Sequence, residues 1–255
     1  MTRRGLVPLT AFTLVAVALL AGLGGWQLNR LEWKEGVIAR IEARTKAKPV
    51  SLDKAVALAK EGRNVGYYRV GVEGRYHHER ELYLYSIGDG QPGWHVITPL
   101  ETVDGDIVLV DRGFVPDELK DPSTRKAGQL EAVVTVIGLV RPPESETLFT
   151  PDNELEANRW FWRDLGAMAR AMFPNRILGQ LAPFYLELEA NDVPGGWPKG
   201  GQTRLEITNN HLQYAVTWFG LAAALVVIYL VFVHGVYRDA KRGQGPPVAG
   251  DRSRR

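Results

Sequence analysis

Two runs without a single charged residue constrain this chain more than any other feature. Leu6–Asn29 holds 24 residues and Leu212–Tyr237 holds 26, and neither contains Asp, Glu, Lys or Arg. A bilayer core about 30 Å thick is crossed by roughly 20 apolar residues of helix. Each run is therefore long enough to span. The overall 24% of charged residues averages these spans with a remainder that is about 29% charged. The sequence reads as two transmembrane helices, at residues 6–28 and 212–233, around one domain.

Direction follows from Lys and Arg near the span ends. Arg3 and Arg4 precede the first span, and Arg238, Lys241 and Arg242 follow the second, with Arg252, Arg254 and Arg255 beyond. The tails, residues 1–5 and 234–255, are basic and the middle is net acidic. Both termini are expected in the cytoplasm, with residues 29–211 outside. Trp26, Trp33, Tyr214 and Trp218 lie near the outer ends of the spans, where amphipathic rings favour the headgroup layer. The first run is longer than a signal-peptide core and passes into a helical pattern without a turn, so it reads as a retained span. No Ser-rich, Arg-rich transit segment precedes it. The expected location is a bacterial inner membrane, two-pass, with a periplasmic domain.

Composition excludes several classes. There is no cysteine, so there is no disulfide framework, thiol catalysis or thiolate metal site. Two spans offer few ways to build a transport path. The net charge of +2 gives no nucleic-acid signal. GxSxG, HExxH and P-loop motifs are missing.

Between the spans the pattern changes. Leu28, Leu31, Ile38 and Ile41 continue a helical spacing, giving a helical extension over 29–46 that ends before Pro49. Ser51 or Asp53 is placed to cap a short helix through Lys60. Tyr67–Tyr76, Leu82–Ser86, Trp94–Leu100, Ile107–Val115, Ala132–Val140 and Phe184–Glu189 read as strands, within a sheet-rich core over 64–190. Ile107–Val110 and Val133–Ile137 are apolar on consecutive residues, which predicts strands buried on both faces. Arg163–Phe173 reads as a short helix, and Gly243 onward as a disordered tail. The expected fold is a membrane-anchored α+β chain, with an antiparallel barrel- or sandwich-like sheet and a few short helices.

Gly88–Gly93 matches GxGxxG, but a strand follows it where a dinucleotide site needs a helix, so a hairpin loop is expected. His77 and His78 are adjacent on a strand pattern and point to opposite faces, so the segment reads as a solvated edge. Asp111-Arg112-Gly113 reads as a structural ion pair with a glycine turn. His211 stands at the entry to the second span, after Thr208-Asn209-Asn210, where a helix N-cap is expected. His211, Tyr214 and Trp218 recur at i, i+3, i+7 on one helix face. Two readings fit His211: a headgroup anchor, or an axial ligand for a planar apolar cofactor such as haem. Arg30, Lys34 and Arg204 are then candidates for its propionates. His234 lies about 35 Å further along the helix and belongs to the other leaflet.

The order of the short motifs adds a resemblance. They run Gly22-Leu-Gly-Gly-Trp-Gln-Leu-Asn-Arg30, Trp33-Lys34, Thr98-Pro-Leu100, Val110-Asp-Arg-Gly-Phe-Val-Pro116 and Gly138-Leu-Val-Arg141. Trp162-Arg-Asp164, Pro194-Gly-Gly196, Gly201-Gln-Thr-Arg204 and Asn209-Asn-His-Leu-Gln-Tyr-Ala-Val-Thr-Trp218 follow. With two terminal spans around an outside domain, this chain resembles the Surfeit locus protein 1 family, assembly factors for haem-copper cytochrome c oxidase. The resemblance implies no catalytic activity. It implies help in maturing oxidase subunit I, through handling haem a, with haem a synthase as a further partner and membrane lipid around the helices. On that reading His211 is the haem iron ligand, Trp26, Tyr214 and Trp218 form an apolar wall, and Arg30 pairs with a propionate. The alternative is a cofactor-free scaffold that holds a subunit I intermediate, with Gly88–Gly93 and Gly195–Gly201 as contact loops.

Overall fold

A computed structural model describes residues 3–88, 90–174, 181–202 and 207–242. Arg204 and the tail from Gly243, both used above, lie outside the described residues. The chain divides into two compact units. One holds residues up to Ala39 and from Ile207 on, and the other lies within Arg40–Glu206.

The first unit is a helix pair. Helix α1 runs Arg3–Lys46 without interruption, so span and extension are one element, and helix α4 runs His211–Arg242. Both are long and apolar enough to cross a membrane, which fits a two-pass membrane protein. On α1 the shielded positions include Leu6, Thr10, Thr13, Val17, Leu20, Gly24, Gln27 and Leu31; on α4 they include His211, Ala215, Trp218, Ala222, Leu225 and Tyr229. Both series alternate steps of three and four, the spacing of a packed two-helix seam. Small residues there let the backbones approach, as lipid-embedded pairs require. The opposite faces leave Phe12, Leu19, Ile228 and Val231 exposed, an apolar surface suited to lipid.

In the sheet unit β1 (Val50–Ser51) leads into α2 (Leu52–Lys60), and the Ser51 hydroxyl caps α2 by accepting from Lys54 N. Next come β2 (Arg69–Tyr76), β3 (Leu82–Gly88), β4 (Gln91–Thr102), β5 (Ile107–Pro116) and β6 (Val134–Arg141). Then follow β7 (Arg159–Trp160), α3 (Leu165–Met172) and β8 (Leu181–Leu188). Pairing runs β2–β6–β8–β5–β4, and β4 returns to β2, closing a five-stranded barrel. Strand β3 extends the sheet outward from β4, and the two-residue β1 and β7 pair at β2 and β3. Most pairs are antiparallel, but β5–β8, β1–β2 and β3–β7 are parallel.

Closure depends on Gly74. A Cβ there would meet Glu101 O and come within 2.6 Å of a Leu100 methyl, so a side chain would hold β2 off β4. Inside the barrel lie Val70, Val72, Leu100, Val108, Val110, Val136, Phe184 and Leu186. Outside it, Ile97, Ile107, Leu109 and Tyr185 are covered by α3 through Leu165, Met168 and Met172, with Trp160 and Leu82 beside them. Strand β5 is thus buried on both faces. Strand β6 is not: Thr135 and Ile137 are exposed, because among the described residues no helix covers that side. The expected strands and the α3 helix recur with ends shifted by a few residues. The GxGxxG stretch is the β3–β4 connection, where Gly88 pairs with Gln91.

Candidate functional site

The helix pair joins through polar side chains at its two ends. Near one end Thr10 Oγ1 donates to Leu6 O and accepts from Tyr229 Oη at 2.6 Å. At the other, His211 Nδ1 lies 2.7 Å from Gln27 Oε1. A carbonyl oxygen only accepts, so Nδ1 carries the proton and donates. In the neutral ring Nε2 then holds the lone pair, and His211 makes no other hydrogen bond among the described residues. A ligating histidine is held this way, one nitrogen anchored to a carbonyl and the other free for a metal. The residues present therefore fit an imidazole ligand.

The other residues expected at this site stand as follows. Trp218 shares the half-buried face with His211 and Ala215, whereas Tyr214 is 54% exposed and Trp26 57% exposed. Among the described residues no ring contact joins Trp26, Tyr214 or Trp218 to His211 or to one another. The Arg30 guanidinium stacks over the Trp33 ring, 3.8 Å from its centroid. Lys34 is half-buried and His234 exposed. Asn210 is the first cap of α4 through its backbone, accepting from Tyr214 N at 3.2 Å, and the Asn209 side-chain oxygen is buried without a partner. Gln27 escaped the sequence reading. Its signal was present, since an amide inside an apolar run is costly in lipid and implies a partner.

The sheet unit carries two buried charge clusters, fed by successive residues of β5. Asp111 and Arg112 do not pair with each other, because successive strand residues face opposite ways. Asp111 accepts from His95 Nδ1 at 2.8 Å and from Arg163 Nη2 at 2.7 Å, and Arg163 also holds Glu144 at 3.0 Å. Burial works against the Asp111 charge, but His95 and Arg163 outweigh it and hold its carboxyl well below the usual range. Burial likewise opposes charging of His95, yet Asp111 raises its pKa. Arg112 turns to Glu81, which also binds Arg125. Despite its burial, Glu81 is pulled down to about 2 by His78, Arg125 and Arg112.

Gly113 is not a turn but a strand residue. Its φ of 112° and the close approach of Lys199 O leave no room for a side chain. Nor is the His77–His78 segment a solvated edge. His77 bridges Glu79 and Glu101, and His78 is largely buried, with Nε2 donating to Leu130 O. The Asp111 cluster encloses only about 10 Å³, too little for a substrate. Among the described residues no group of three or more His, Asp or Glu is placed to hold a metal.

The comparisons with known proteins bear on the whole arrangement. A model of the SURF1 family matches residues 14–223. The chain belongs to the SURF1 family. It is 40% identical to Surfeit locus protein 1 of Homo sapiens over 237 residues, 86% of this chain and 72% of the relative. It is 37% identical to Surfeit locus protein 1 of Takifugu rubripes, over 84% of this chain and 92% of the relative. It is 34% identical to the SURF1-like protein of Drosophila melanogaster, over 86% and 75%. The SURF1-family match takes in both Gln27 and His211, as well as the barrel between them.

Proposed function

We propose that this chain is an assembly factor for haem-copper cytochrome c oxidase, which assists the delivery of haem a to subunit I or its stabilisation there. Membership of the SURF1 family supports the assembly role. The observation that carries the haem reading is the His211–Gln27 pair, which fixes one imidazole nitrogen and leaves the other for iron. His211 would ligate the haem iron, Trp26, Tyr214 and Trp218 would supply an apolar wall, and Arg30, which stacks on Trp33, would pair with a propionate. The bound haem contributes no turnover here, being cargo, and the chain is not an enzyme. Haem a synthase and subunit I are the partners on either side of the transfer. The basic ends support a reading with both termini in the cytoplasm of a bacterium and the barrel in the periplasm.

The test is to co-express the full chain with haem a synthesis, purify it and record its pigment spectrum. Haem a with an imidazole-ligand spectrum is expected, and loss of the pigment in His211→Ala. A spectrum unchanged by His211→Ala, at full haem retention, overturns the ligand assignment.

A second reading, a cofactor-free scaffold that holds a subunit I intermediate, rests on Leu148 and Phe149. They are 98% and 95% exposed, in a turn closed by Thr147 and Thr150. Such a pair is a docking anchor for an apolar pocket. That reading expects subunit I to co-purify without haem, and to be lost in a Leu148→Ser/Phe149→Ser double variant.

A further inference from the structure

A cleft of about 760 Å³ opens on the sheet unit, with Arg75, Tyr76, Glu81, Lys126 and Gln129 among its walls. Its charges do not balance. Arg112 and Arg125 share the single carboxylate of Glu81. His78 is tied into the same group, with its Nε2 on Leu130 O and its Nδ1 within 3.2 Å of Arg112 and 3.3 Å of Glu81. The walls also carry Arg75, Lys126, Glu79 and Glu131, with Glu79 held by Arg80 and His77. One buried positive charge is left over. A surplus of that kind is costly unless an anion meets it.

Its hydrogen bonds do not close either. Tyr76 Oη and both amide atoms of Gln129 are buried without a partner among the described residues. Tyr76 is itself only 6% exposed. Burial, against the pull of Arg112, pushes its phenol up to about 12, so it remains a donor. Buried polar groups are rarely left so. The unmet set is three donor groups, Tyr76 O–H, Gln129 Nε2–H and Arg125 Nη1–H, and one acceptor, Gln129 Oε1.

We propose that this cleft binds a carboxylate monoanion with an N–H beside it, as at the C-terminus of a peptide or in an N-acyl amino acid. The carboxylate takes these donors, Arg125 Nη1 carrying the surplus charge, and Gln129 Oε1 accepts the N–H. One surplus charge matches a carboxylate better than a phosphate dianion. A side-chain amide that donates and accepts at once matches the carboxylate and N–H of one residue. This site is independent of His211 and of haem.

The test uses the purified full chain in detergent, with thermal midpoint and titration calorimetry, at ionic strength matched with chloride. N-acetylglycine is expected to raise the midpoint saturably, acetate to act more weakly, and N-acetylglycinamide and inorganic phosphate to do nothing. Tyr76→Phe keeps the ring against Arg112 and should fold as the parent, since its hydroxyl has no hydrogen-bond partner among the described residues, and bind N-acetylglycine about tenfold more weakly. Gln129→Leu should behave the same way. Triglycine binding more tightly than N-acetylglycine identifies a peptide terminus as the source, and equal binding identifies the small acyl amino acid. The absence of a saturable response to N-acetylglycine overturns the proposal. So does equal binding of the amide, or parental affinity in both variants.

Discussion

Gln27 and His211 are 184 positions apart in sequence, yet they hold each other at 2.7 Å across the paired apolar helices. The bond sets the imidazole tautomer and ties the start of α4 to the middle of α1, away from the Thr10–Tyr229 bond. In a low-dielectric setting neither partner is cheaply left alone.

Gln27→Leu removes the acceptor and keeps the volume. The protein should still accumulate, but haem retained per purified chain should fall about 10–100-fold, as when a ligand's outer partner is lost. Pigment absorbance against protein concentration measures this. Full retention in Gln27→Leu would show that Gln27 has no part in holding the ligand.

Gly113→Ala should be among the most damaging small substitutions in the sheet unit. The φ of 112° is poor for any Cβ, and the obstacle is backbone, Lys199 O, held by a two-bond bridge to Phe114. A cost of about 3 kcal/mol or more is expected. A thermal midpoint within a degree of the parent would refute it.

Glu81→Gln leaves Arg112 and Arg125 without their shared counter-charge. Breaking such a buried pair costs about 3–5 kcal/mol. The same carboxyl predicts acid sensitivity. Its pKa falls from 4.5 unfolded to about 2 folded, so its stabilisation is present above 4.5 and is lost as pH drops towards 2. The shift corresponds to ~3 kcal/mol. Midpoints measured down this range should decline in the parent and flatten in Glu81→Gln.

Asp111→Asn should change the alkaline side. His95 has a raised pKa in the fold, so its contribution is full below its ordinary value of 6.5 and fades as pH rises through the folded value. The parent should lose stability over that rise. The asparagine variant, less stable throughout by about 3 kcal/mol, should lose the slope. Parallel pH curves for the two would remove Asp111 as the cause.

Much of the fold was legible because its signals are local. Absence of charge over 24 and 26 residues marks the helices, and Ser51 announces the start of α2. Ile107–Val110 reads as doubly buried, and it is. The same reasoning failed for Val133–Ile137, since whether a helix lies over a strand is not written in the strand. His211 stood out by position alone, and its partner did not. Gln27 was one amide in an apolar run, and only helix pairing selects it.

By itself, then, the sequence determined two spans, their expected direction, a strand-rich domain between them and the family. All of these depend on composition, period and motif order along a short stretch of chain. The tertiary structure alone decided that β2 closes onto β4, that Asp111 and Arg112 serve separate clusters, and that Gln27 orients His211. Those outcomes depend on which distant residues share a low-dielectric space, where each polar group must find its partner from whatever the fold brings near.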